Sequence, residues 1–288
     1  MAPRCDNRGM IDIGVNFHSS QLKGLAAELL SRAAAAGVTH ILATGTSLPA
    51  SELALAFARA HEPARPPEGR MPEGEERRLP DVRVWATAGV HPHDAKHWAP
   101  ASSPAQFEAL WADELVVAVG ECGLDYNRMF SPMHEQRAAF EAQIAAAVRT
   151  GKPLFLHCRD AFDDFEAMLR DAAAAGAHGV VHCFTEDAAQ AEAFLALGFD
   201  IGITGWVTDP ARGAALRDAV RVIPADRLHL ETDAPYLRPK NAGKTRPYNE
   251  PALLPFVAKA VAELKGMDVA ALATRAAANS RRLFRLPA

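Results

Sequence analysis

Four residues carry the chemistry most legible in this sequence: Glu121 in GECGLD, His157 in LHCRD, His182 in VHCF and Asp233 in ETDAP. Each ends or follows a short apolar run. Taken singly, none is decisive. A histidine after a strand is more often a hydrogen-bonded core residue than a ligand. A lone glutamate can sit in a structural ion pair, and an aspartate before Ala-Pro can cap the following turn. Together, two imidazoles and two carboxylates make a borderline nitrogen and oxygen donor set, suited to Zn, Mn, Fe or Mg according to geometry. The sequence is therefore expected to hold a divalent metal at Glu121, His157, His182 and Asp233.

Such a set needs elements that bring distant segments to one place. Short apolar runs alternate with Ala-rich segments of helical period, and the runs at 11–17, 40–46, 84–90, 115–123, 153–158, 179–184, 200–205 and 228–233 read as strands. Several are apolar on successive positions, as parallel strands covered on both faces require. Helices are expected over 20–36, 49–61, 133–149, 161–174 and 186–197. Gly37, Gly151, Gly176 and Gly198 follow four of them, where a left-handed C-terminal residue is common. Strand–helix alternation of this kind predicts an α/β fold, a TIM-type (β/α)8 barrel, forming a single domain over 1–288 with closing helices from 250–285. A doubly wound sheet competes, but no GxGxxG or P-loop opens any helix. Residues 62–82, rich in Pro, Gly and charge, read as a solvated surface insertion.

The polar residues fall at the strand ends: Asn16, His91 with His93, Glu121 with Asp125, His157 with Asp160, His182, Trp206 with Asp209, and Asp233. In a barrel these ends share one mouth, the face on which active sites are built. Repeated burial of polar groups in one place costs free energy that a purely structural protein has no reason to spend.

Composition limits the function classes. Hydrophobic content of 49% and charged content of 23% fit a folded globular chain and exclude disorder. A net charge of −4 excludes a general electrostatic coat for nucleic acid, so phosphates must meet a local patch or a bound cation. The four cysteines make no CxxC pair and read as free thiols in a reducing compartment. The start, MAPRCDNRGM, has no apolar core of a secretory signal, and no run of about 18 apolar residues occurs. The protein is expected to be cytoplasmic and monomeric, without a membrane partner.

The stretches IDIGVNFHSSQ, TAGVHPHD, VAVGECGLDYNR, PLFLHCRDA, VVHCFT, IGITGWV, ETDAPYL and NEP at 249–251 stand in the order found in the TatD-type metal-dependent deoxyribonucleases. The chain resembles that family over nearly its whole length. The resemblance implies a barrel that hydrolyses phosphodiesters with a divalent metal, most often as a Mg-dependent 3'-5' exonuclease on single-stranded DNA, with RNA as a further substrate. It implies that Glu121 binds metal, shared between ions where two are present, and that His157 and His182 complete one ion's set. Asp233 is implied to bind the other ion or the attacking water, and His91 and His93 to contact phosphate or substrate.

One departure matters. Most members open with an HxH pair on the first strand, where this chain has Gly14 and Asn16, as in the subtype that opens DIGVN. His18 lies beyond the strand end and does not replace the pair. One firm site at Glu121, His157 and His182 is thus expected, with a second, weak site. Mg is the expected ion, with Mn or Zn as alternatives. Asp233 is expected as general base, with Glu121, His91 and His93 as the other catalytic residues. Arg159, Asn16, Tyr126 and Trp206 are expected to bind substrate, Arg159 as a bidentate fork and the two aromatics as stacking platforms for the bases of a short single-stranded end. The same residues also admit a metal-dependent amidohydrolase or lactonase, an esterase that removes aminoacyl groups from tRNA, or a non-catalytic nucleic-acid-binding protein.

Overall fold

The computed structural model describes residues 9–61, 82–243 and 246–287. Eight strands occur among these residues: β1 (Met10–Val15), β2 (Val38–Ala43), β3 (Arg83–Ala88), β4 (Val116–Asp125), β5 (Leu154–Arg159), β6 (Gly179–Val181), β7 (Asp200–Ile203) and β8 (Leu228–Leu230). They form one parallel sheet in sequence order, from β1 to β8. The sheet curls into a nearly closed TIM-type barrel. Its two edges meet at the mouth, where Val15 bridges Ala234 and the Asn16 amide donates to the Ala234 carbonyl at 2.7 Å.

Helices alternate with the strands: α1 (Ala26–Ala35), α2 (Leu48–Ala60), α3 (Ser103–Ala112), α4 (Met133–Thr150), α5 (Phe162–Ala174), α6 (Ala188–Ala196) and α7 (Ala214–Val222), followed by α8 (Leu254–Lys265) and α9 (Val269–Phe284). Every residue of β1 and β4 is buried, the pattern of a strand covered on both faces. Side chains of the two faces form two apolar clusters. One gathers Ile13, Leu42, Trp85, Val117 and Phe155 with Leu283 and Phe284 of α9, so the last helix packs on residues of the barrel. The larger cluster joins the strands to the surrounding helices.

The expected first helix over 20–36 is shorter than its pattern suggests. A 3-10 turn at Ser20–Leu22 is separated from α1 by Gly24, whose φ of +78° is left-handed and stops helix propagation. The four glycines expected after helices all have positive φ. Strands β6, β7 and β8 are shorter than the apolar runs that mark them, although the His182 and Glu231 amides just past β6 and β8 still donate to the Leu156 and Ile203 carbonyls at 2.9 Å and 3.1 Å. The expected insertion at 62–82 lies outside the described residues except for Val82, which is buried just before β3. Among the described residues no helix is long and apolar enough to cross a membrane. Cys122, Cys158 and Cys183 are free thiols; Cys5 lies outside the described residues.

Candidate metal centre

Glu121 owes its position to an irregularity in β4. Gly120 pairs with Phe155 and Cys122 with Leu156, so Glu121 is the extra residue of a bulge. Gly120 and Gly123 flank it with φ of +139° and +141°, and a Cβ at either would lie within 2.2 Å of a β5 carbonyl oxygen. Only glycine allows that approach. The Glu121 amide turns away from β5 and donates to the Gly45 carbonyl beyond β2 at 2.7 Å. The side chain thereby reaches three imidazoles.

Glu121 Oε1 lies 2.8 Å from His182 Nε2, 3.2 Å from His91 Nε2 and 3.2 Å from His157 Nδ1. His91 follows β3 and opens the next 3-10 turn, His157 is on β5, and His182 is the first residue past β6. Burial alone pushes the Glu121 carboxyl up, but His182, His91 and His157 outweigh it and hold the group well below the usual carboxylate range. Burial lowers His182, yet Glu121 and Glu231 raise it well above an ordinary histidine. Burial lowers His91 to about 4 despite the pull of Glu121.

His91, Glu121 and His157 offer ligand atoms close enough together to share one ion. His157 Nε2 is buried and hydrogen-bonded to nothing among the described residues, although Asp125 Oδ2 lies 3.4 Å away. A buried polar atom left in this state is costly unless something else completes it. The donor set and the orphaned nitrogen fit a divalent cation.

Asp233 stands on the opposite seam of the barrel, beyond β8. Its Oδ1 accepts from Asn16 Nδ2 at 2.8 Å, and Cys183 Sγ lies 3.9 Å from its Oδ2. Burial, helped by the charges of Glu121 and Glu231 and opposed by His182 and Asn16, raises the Asp233 carboxyl to about 7. Asn16 is itself buried, so the structure puts it behind Asp233 as a support. Thr232 beside it is clamped by Asp12, which accepts from its amide at 2.9 Å and its hydroxyl at 2.6 Å. Asn249 of the NEP stretch donates to the Thr232 carbonyl at 2.8 Å and the Tyr236 carbonyl at 2.7 Å.

Two carboxylates without an expected role also belong here. Asp125 Oδ2 accepts from His93 Nε2 at 2.7 Å and, near His157, helps raise that imidazole. Glu231 is fully buried; its Oε2 lies 3.3 Å from His182 Nδ1 and its Oε1 accepts from the Cys183 amide. It fixes the ring whose other nitrogen meets Glu121. Glycines make its space: a Cβ at Gly14 would stand 2.8 Å from Oε2, and one at Gly202 would stand 2.7 Å from Oε1. Period-two alternation with Asp233 was the signal in the sequence that could have found Glu231.

The expected substrate residues do not all converge. Tyr126 is half-buried, with its hydroxyl donating to Asp164 Oδ2 at 2.7 Å. Trp206 is covered on one face by the Arg212 guanidinium, 4.1 Å from the ring centroid, and Asp209 holds that arginine at 2.9 Å. Arg159 ends β5 and forms no ion pair among the described residues; its charge reaches Glu186. His18 is exposed, with Nε2 3.4 Å from Thr46 Oγ1, and takes no ligand position.

Residues 11–285 match the family profile described as "TatD related DNase". A protein of Klebsiella pneumoniae (strain 342) named 3'-5' ssDNA/RNA exonuclease TatD is 45% identical over 278 residues, covering 96% of this chain and 97% of its own. A protein of the same name from Rahnella sp. (strain Y9602) is 46% identical, covering 97% and 99%. Among solved structures, the TatD homologue YJJV of Escherichia coli K12 superposes with a TM-score of 0.81 at 28% identity, covering 97% of this chain and 99% of that one.

Proposed function

The chain belongs to the TatD-related DNase family, and on that premise we propose that it is a divalent-metal-dependent nuclease that removes nucleotides from the 3' end of single-stranded DNA, and of RNA. The observation that carries the reading is the buried convergence of His91, Glu121 and His157 at the barrel mouth, with His182 against the same carboxylate oxygen. The naming of the relatives as 3'-5' exonucleases supports the polarity and the single-stranded substrate.

We assign the firm cation site to Glu121 and His157, with His91 and His182 as its further imidazoles. The imidazoles of that set suit Zn, and its carboxylate also admits Mn. A weaker site beside Asp233, which would offer a carboxylate oxygen, suits Mg, which keeps much of its water. When bound, such cations supply Lewis-acid polarisation of the scissile phosphoryl group. The remaining chemistry belongs to the chain. Asn16 fixes one oxygen of Asp233 and leaves the other to accept the proton of the attacking water. His93, anchored by Asp125, and Arg159 are the groups we assign to the phosphate, Arg159 through its guanidinium. His182 is aimed by Glu231 toward Glu121.

The test is end-labelled single-stranded DNA incubated with Mg, Mn or Zn, beside Glu121→Ala. Stepwise shortening from the 3' end that the variant lacks is expected. Release of nothing with any cation, or equal release by the variant, overturns the reading.

A further inference from the structure

We propose that the cavity between the end of β1 and helix α2 is the subsite for the base and sugar of the terminal nucleotide, the one that the enzyme releases. The proposal rests on the exonuclease reading and adds where the strand end sits. The cavity holds about 520 Å³ and is walled by Phe17, Leu22, Leu53, Ala54 and Phe57, with Thr44 also lining it. That volume falls in the range of small-ligand pockets, which runs from about 300 to about 1,000 Å³.

Chain connectivity places it beside the reacting groups. Phe17 directly follows Asn16, the residue that holds Asp233. Thr44 directly precedes Gly45, whose carbonyl accepts the Glu121 amide at 2.7 Å. The cavity walls are thereby continuous in the chain with the residues that hold Asp233 and Glu121, on the β1–β2 side of the mouth.

The lining suits a base. Phe17 and Phe57 lie 4.2 Å apart between ring centroids, tilted by 31°, and form one apolar wall. Leu53 is 58% exposed, a large apolar side chain facing open space where α2 borders the cavity. Thr44 Oγ1 is buried and has no hydrogen-bond partner among the described residues. A hydroxyl both donates and accepts, so it can meet the edge of any base or a sugar hydroxyl. Apolar walls edged by the hydroxyls of Thr44, Ser19 and Ser20 and the His18 imidazole can receive a base without selecting which base, the behaviour required of a nuclease that degrades a strand of any sequence.

The experiment compares kcat/KM on a single strand ending in an ordinary 3' nucleotide with that on the same strand ending in an abasic tetrahydrofuran nucleotide. The wild type is expected to prefer the base by about tenfold, the value of one stacked base. Leu53→Trp, which fills the cavity from an exposed position, and Thr44→Val, which removes the hydroxyl at constant shape, should each bring that ratio toward one. Equal cutting of both strands by the wild type, or an unchanged ratio in both variants, overturns the subsite. Release from neither strand with any cation overturns the exonuclease reading instead. Calorimetric titration with thymidine 5'-monophosphate then decides the subsite without turnover: binding weakened in both variants supports it, and equal binding overturns it.

Discussion

Replacing Gly14 by alanine should damage the metal centre although residue 14 carries no ligand. The new Cβ would lie 2.8 Å from Glu231 Oε2 and 3.5 Å from the Phe155 ring, so the carboxylate oxygen is the one serious clash. Relief needs a shift of about 0.6 Å to ordinary contact. The carboxylate cannot simply retreat. Its other oxygen accepts from the Cys183 amide and stands against Gly202, where even a Cβ would come within 2.7 Å. Overpacking of this kind costs about 1–3 kcal/mol, a fall of the melting temperature on the order of 2–10 °C. The same shift loosens the 3.3 Å contact to His182 Nδ1 and so the ring that meets Glu121. Loss of such outer support lowers metal affinity by about 10–100-fold. The assay is Mn affinity by titration calorimetry and thermal unfolding, for Gly14→Ala, Glu231→Ala and the double variant. With the Glu231 carboxylate gone, alanine at 14 should cost little more than glycine. A Gly14→Ala penalty of equal size in both backgrounds would refute the reasoning, because the clash would then lie elsewhere.

Other perturbations follow from the same geometry. Glu121→Gln should abolish tight Mn binding and leave nuclease activity near background, which titration and a gel assay read directly. Asn16→Ala should reduce kcat by about 100-fold, the effect of a misplaced reacting group, while Mn affinity at the firm site holds within a factor of a few; a change in affinity alone would count against its support of Asp233. At the barrel's other end, Asp200 is buried against His229, Arg227 and Arg282. Burial raises that carboxyl, but His229 and Arg227 outweigh it and hold it below its usual 3.8. Its contribution is therefore present above the unfolded value and lost as pH falls through the lower folded value. Asp200→Asn should cost about 3 kcal/mol at neutral pH and less in acid, so that denaturant curves for variant and wild type converge as pH drops below about 4.

The sequence by itself determined the architecture and most of the polar cast. Eight apolar runs with Ala-rich spacers can bury both faces only as parallel strands sheathed by helices, and barrel closure then carries every strand end to one mouth. Glu121, His157, His182 and Asp233 were legible because each is an ionisable residue ending or following a run otherwise buried. The helix limits near Gly24 were less so, since a periodic pattern continues through a glycine whose backbone does not.

What tertiary structure alone decided is how these residues divide their work. Period and spacing cannot reveal that Glu121 sits on a bulge, because the extra residue exists only relative to the register of β5. That bulge puts one carboxylate oxygen among three rings, with His91 and His157 each 3.2 Å from it. Gly14 reads in sequence as a ligand lost from the first strand. In the folded chain it is the space that Glu231, arriving from β8, occupies to hold His182. Side chains from opposite ends of the chain meet there only once the barrel closes, and no local pattern encodes a contact across that distance.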